Sequence, residues 1–144
     1  MLTLPAPVVN ALQLAGRLIF AYIFISSGFS KLMSHDASVG YIASGGLPFP
    51  AEFAYWSAVI VELGGGLAVA FGLFTVPAAI AVALFTVIAG YYFHLPYAHV
   101  EGLVGMLQGI HFVKNWTIAG AALFIAASGA GAWSLDNLLF GKRA

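Results

Sequence analysis

The chain has no cysteine, and that absence removes a block of chemistry at once. Thiol–disulfide exchange, by which some four-helix membrane proteins move electrons, needs paired cysteines. Cysteine-held iron–sulfur clusters and thiolate-bound zinc are excluded on the same ground. Charge is nearly as scarce, at 7% of the residues with a formal net charge of zero. A water-facing surface typically needs about 25% charged residues, so a soluble domain is excluded. No basic patch or charge run occurs, which leaves no footprint for nucleic acid. No basic residue precedes the first apolar run, and that run exceeds the about 7–15 residues of a signal peptide.

What remains is apolar: 62% of the residues are hydrophobic and the mean hydropathy is +0.99. At about 20 residues per crossing, 144 residues predict one all-α domain, an integral membrane four-helix bundle with short interfacial segments. The spans fall at about 8–33, 51–74, 77–94 and 113–132. At 100° per residue, Phe24, Gly28 and Lys31 lie within about 40° of Arg17, so the first span turns one polar-tipped face toward the bundle. Residues 34–50 read as a loop with a short interfacial turn near 39–43. Pro50 and Glu52 suit the start of the second span. The Thr75-Val76-Pro77 connection is short, which makes the second and third spans antiparallel neighbours. Residues 95–112 read as the longest remaining loop, too short for its Gly105/Gly109 spacing to serve as a spanning dimer face. Ser134 is placed to cap a terminal amphipathic helix through Leu138, Leu139 and Phe140.

Glu62 stands near the middle of the second span. A lone carboxylate there costs about 2.5–3.5 kcal/mol, so it calls for a partner cation or a task. Counting helical rises puts Arg17 roughly 10–14 Å, and Glu62 roughly 16–18 Å, from the ends of their helices, a difference that an arginine side chain can bridge. The expectation is an Arg17–Glu62 pair. It would either lock two helices together or form the floor of a site for a polar head group or a proton relay. Behind the glutamate, Gly65 and Gly66 supply room, and Gly64, Ala68 and Gly72 form a small-residue row open to a neighbouring helix.

A second grouping collects at the other face: Lys31, His94, Lys114 and Asn115, with His35, His99, Glu101 and His111 from the loops. Such a cluster can hydrogen-bond a quinone or an anion, and a histidine can pass protons near neutral pH. Ordinary wet interfacial residues are the plain alternative. The histidines lack an ordered metal-ligand spacing such as HxxxH, so no metal is assigned. A bis-histidine haem between His94 and His111 is disfavoured because His111 precedes its span.

Seven short pieces in order now carry a resemblance. They are Arg17-Leu18 with Ser27-Gly28 and Lys31; Gly46-Leu47-Pro48; Val61-Glu62-Leu63-Gly64-Gly65; Gly72-Leu73-Phe74-Thr75; Phe93-His94; Ile110-His111-Phe112-Val113-Lys114-Asn115; and Trp133-Ser134-Leu135-Asp136. Together they resemble the DoxX family of small bacterial inner-membrane proteins. The chain departs from that pattern at Val76, where a basic residue often follows the threonine. The resemblance implies a four-helix membrane bundle in the bacterial inner membrane. It also implies an association with electron transfer, through thiosulfate:quinone oxidoreductase or through complexes tied to oxidative and thiol stress.

Three functions are carried forward. In the first, the protein is a membrane oxidoreductase subunit. It binds quinone, with Glu62 and Arg17 polarising or protonating it and His94, Lys31, Lys114 or Asn115 orienting the other end. Electrons would then come from a partner protein or a diffusible reductant. In the second it is a non-catalytic anchor or assembly partner, and in the third a small-solute or proton path. A homo-oligomer is compatible with each. Lys142 and Arg143 favour cytoplasmic termini, with Lys31 and Lys114 on the opposite side.

Overall fold

The structure is a computed structural model that describes residues 4–141. Six helical elements follow one another: α1 (Ala6–Met33), α2 (His35–Ser44), α3 (Ala51–Phe71), α4 (Thr75–Tyr97), α5 (Leu103–Ser128) and α6 (Leu135–Phe140). Helices α1, α3, α4 and α5 are each long and apolar enough to cross a membrane, and no strand occurs among the described residues. Their outer faces expose Ile19, Tyr22, Ile60, Leu84 and Phe124. So much exposed apolar surface is stable against lipid, not water. The chain is an all-α membrane protein.

Small residues set the packing, as expected where lipid removes the hydrophobic drive between helices. Ala21, Val69, Ala70 and Ala79 form one core cluster, and Ala83, Ala119 and Ala122 another. The register of α1 against α3 is fixed at Gly28, where a Cβ would lie 2.6 Å from the Leu63 nitrogen. Gly66 meets Phe24 and Ile25 further along the same contact. The two helices therefore run antiparallel with Gly28 level with Leu63. Arg17, eleven residues earlier in α1, lies about 16 Å away along the axis.

Several boundaries differ from expectation. The last spanning helix begins at Leu103, not near 113, and ends at Ser128, where Gly129 adopts φ 73°. Residues 103–112, read as loop from their scattered polar side chains, are the first turns of α5. Gly105 and Gly109 are therefore helical, Gly105 pressed against the Val100 backbone and Gly109 facing open space. Helix α3 stops at Phe71 because Gly72 turns left-handed (φ 66°). The Gly64–Ala68–Gly72 row is thus not a helix seam within the chain: Gly64 has no neighbour and Gly72 is a terminator. Lys142 and Arg143 lie outside the described residues.

Two stretches depart from α geometry. Ile60–Gly65 in α3 and Gly90–His94 in α4 are π-helical, a wide turn that is rare and often found at functional sites. The first lies in the middle of α3 and the second near the end of α4.

Candidate functional site

Glu62 sits inside the first wide turn and His94 closes the second. Between these turns, α1 and α5 lies a cavity of about 260 Å³. Lys31, Glu62, His94, Lys114 and Asn115 all line it. Five of the six residues singled out from the sequence therefore converge on one space. Its remaining wall is apolar and aromatic, chiefly Ile23, Phe24, Phe85, Phe93 and Ile118. Helix α2 covers one side: Ile42 and Tyr41 line the cavity, and Tyr41 stacks on Phe93 with ring centroids 5.1 Å apart.

The cation that meets Glu62 is Lys31. Its Nζ lies 2.6 Å from Oε2, at an angle that makes the contact an ion pair rather than a directed hydrogen bond. Lys31 also donates to Ser27 Oγ at 3.0 Å, and Ser27 donates to Glu62 Oε1 at 3.1 Å. A closed triangle results. Tyr55, fully buried, donates to the Lys31 carbonyl at 3.1 Å and ties this end of α1 to α3. With Glu62 only 6% exposed, loss of the ammonium would leave an uncompensated buried charge.

On the facing wall Asn115 is 8% exposed. Its amide makes no hydrogen bond among the described residues, although it is not sealed from the cavity. Gly90 provides its space, with a Cβ there only 3.2 Å from the amide nitrogen. Buried polar groups are ordinarily satisfied, so an accessible, unpartnered amide marks where a ligand fits. Beside it His94 Nδ1 lies 2.7 Å from Gln108 Oε1, and Lys114 Nζ lies 3.0 Å from His111 Nδ1. The centroids of the two imidazoles are 5.2 Å apart and their planes are tilted by 32°. Gln108 does not stand out in the sequence while residues 103–112 read as loop. With the helix extended back, Gln108, His111 and Asn115 fall on one face at i, i+3 and i+7, and that pattern would have found it.

The expected Arg17–Glu62 pair does not form. Arg17 is 2% exposed and lies outside the cavity, at the far end of the bundle, where Nη2 donates to the Trp133 carbonyl at 2.5 Å. The physical reason is register. Measuring each charge from its own helix end assumes ends that are level, whereas the Gly28–Leu63 contact separates Arg17 from Glu62 by about three turns. A cavity floor built from that pair is withdrawn.

Arg17 belongs to a second polar region. The chain returns after α5, and Asp136 accepts from the N–H groups of Phe74 (2.7 Å) and Thr75 (2.9 Å), capping α4 from another part of the sequence. Asp136 N–H in turn donates to the Gly72 carbonyl at 2.7 Å. Burial alone would raise the Asp136 pKa, but the Thr75 and Phe74 N–H groups and the nearby Arg17 charge hold it below its ordinary value. Ser134 caps α6 as expected, accepting from Asn137 N–H at 3.1 Å.

His35 and His99 lie apart from the cavity. His35 bridges Asp36 (2.8 Å) and Glu52 (3.3 Å) on the outside of α2 and α3, and the Asp36 hydrogen bond, with Glu52 behind it, raises its pKa. His99 and Glu101 are exposed. No group of three metal-ligating side chains occurs among the described residues.

Comparison with known proteins agrees with this architecture. The chain is 34% identical to the inner membrane protein YqjF of Escherichia coli (strain K12), over 88% of its own length and 90% of that protein's. It is 38% identical to the inner membrane protein YphA of the same organism, over 88% and 89% of the two chains. No solved structure matches it. The DoxX family pattern matches residues 12–95, from the first turns of α1 through both wide turns. With relatives alike over nearly their whole length, this chain belongs to the DoxX family.

Proposed function

We propose that the protein is the membrane subunit of an oxidoreductase system and that its cavity holds the ring of a quinone. The observation that carries this is the convergence of Lys31, Glu62, His94, Lys114 and Asn115 on one aromatic-walled space of about 260 Å³. Ligand pockets usually start near about 300 Å³, so the space suits one ring with its tail left in lipid. A ring with oxygens at opposite ends matches polar groups on opposite walls: Lys31–Glu62 on one, Asn115 and His94 on the other. The Lys31 ammonium, held in place by Glu62, polarises one oxygen, while Asn115 and Lys114 donate to the second.

The wide turns support the same reading, since each departs from α geometry where it borders the cavity. The chain has no cysteine to carry electrons as a thiol or to hold an iron–sulfur cluster, and in this reading a partner protein or a diffusible reductant delivers them. Oxidative, thiol or sulfur-compound chemistry is the setting. The protein is placed in the bacterial inner membrane with both termini cytoplasmic. A fluorescent-protein fusion at the C-terminus should be bright and an alkaline-phosphatase fusion inactive; the reverse pattern would invert the topology.

The test is quinone content. Protein purified with its native lipids should carry quinone in wild type and in Arg17→Gln, whose side chain lies away from the cavity. It should lose most of it in Glu62→Gln and Asn115→Leu. Quinone-free wild-type protein that still recruits a redox partner would leave the anchor reading in its place.

A further inference from the structure

Gln108 and His94 form a pair whose chemistry fixes more than position. A neutral imidazole carries one N–H and one bare nitrogen, and the hydrogen bond at one nitrogen decides which is which. His94 Nδ1 lies 2.7 Å from Gln108 Oε1, a carbonyl oxygen that can only accept. The proton therefore sits on Nδ1. In the neutral ring Nε2 is left bare, on a residue that lines the cavity, with no partner among the described residues and not sealed off by protein. The neighbouring His111 is held the opposite way. Lys114, as an ammonium, only donates, so His111 Nδ1 accepts and Nε2 carries the proton.

We propose that Gln108 is a positioning residue that keeps His94 in the Nδ1–H form, so that the cavity presents an acceptor, His94 Nε2, to a ligand hydroxyl. This rests on the ring-binding reading above and adds a preference to it. On the same wall Asn115 offers an unpartnered amide and Lys114 an ammonium, both able to donate. A ring oxygen bearing hydrogen satisfies donors and acceptor together. A bare carbonyl oxygen leaves Nε2 without a partner, and an unmet buried acceptor is costly. The cavity therefore takes the dihydroxy, reduced form of the ring in preference to the oxidised form.

Two measurements decide it. Nitrogen-15 spectra of histidine-labelled protein in lipid, with His94→Gln to assign its signals, should show a protonated Nδ1 and a bare Nε2 on His94. Binding under argon should favour durohydroquinone over duroquinone by about tenfold, one neutral hydrogen bond's worth. Gln108→Leu should abolish that ratio and mix the His94 tautomers. Gln108→Glu, whose carboxylate still accepts from Nδ1–H, should restore both. A His94 spectrum with the proton on Nε2 overturns the proposal, whatever binds. Equal affinity for the two compounds removes this preference and leaves ring binding standing. A folded protein that binds neither compound removes the ring reading and this proposal with it.

Discussion

The two polar regions of this protein spend their hydrogen bonds differently. At the Arg17 end the bonds that form run to backbone: the Trp133 carbonyl takes Arg17, and the N–H groups of Phe74 and Thr75 take Asp136, while Arg17 Nε and Nη1 and Thr75 Oγ1 stay sealed in protein without a hydrogen bond among the described residues. These contacts close a turn and a helix end, groups that would otherwise be orphaned in a membrane. At the Glu62 end side chains meet side chains around a space, and Asn115 and His94 keep atoms without a partner among the described residues. Polarity sealed in protein against backbone holds the fold, whereas polarity that borders a cavity is open to a ligand. Inspection of charge alone would have ranked the two regions equal.

The largest effect that tests this contrast is expected at Lys31→Met. It strands Glu62 and should cost about 3–5 kcal/mol, measured by unfolding in detergent. Lys31→Met combined with Glu62→Gln should recover most of the loss, which shows that the charge rather than the volume matters. Next comes Gly72→Ala at the other end. The new methyl would collide with Arg17 Nη1 and Ser134 at a left-handed residue, so a loss of about 2 kcal/mol or more is expected, the left-handed backbone alone costing about 1–2. Quinone content in the surviving folded fraction should be normal. If it fell in parallel with stability, the two regions would not be separate.

Asp136→Asn should cost about 1–2 kcal/mol, the usual worth of a helix cap, and should change the pH profile. Because the folded pKa of Asp136 is depressed, its stabilisation is fully present above the unfolded value of about 3.9. It is lost as pH falls through the lower folded value. The variant should therefore show a shallower acid limb in a stability-against-pH series. Smallest in stability is Asn115→Leu, within about 0.5 kcal/mol of wild type, because the amide gives up no protein hydrogen bond. Its quinone content should nevertheless fall at least as far as that of any variant at the Arg17 end. A large stability loss here would make Asn115 a structural residue and erase the distinction.

Much of this was legible in the residues. The inward face of α1 follows from periodicity, and Arg17, Phe24 and Gly28 are buried on it. The gathering of Lys31, His94, Lys114 and Asn115 at one end follows from alternating span directions. Axial register was not legible, because it is set by close contacts such as Gly28 on Leu63 and Gly90 beside Asn115, and a glycine gives no sign of what it will touch. Nor was the fold-back that carries Trp133 and Asp136 to Arg17, since the capping partners lie more than sixty residues apart. The start of α5 was missed for a chemical reason. Gln108 and His111 look like loop residues until the cavity they serve is known.

The wide turns carry a last consequence. A π-turn accommodates one residue more than the α-turn it interrupts, so Ile60–Gly65 is, in effect, a helix with a single amino acid spliced in. Removing one residue there would restore α geometry and leave the two halves of α3 on the faces they now present, while taking away the wide turn in which Glu62 borders the cavity. The bundle's capacity for chemistry is thus separable from its capacity to span, and a lineage could gain or lose the former by one codon.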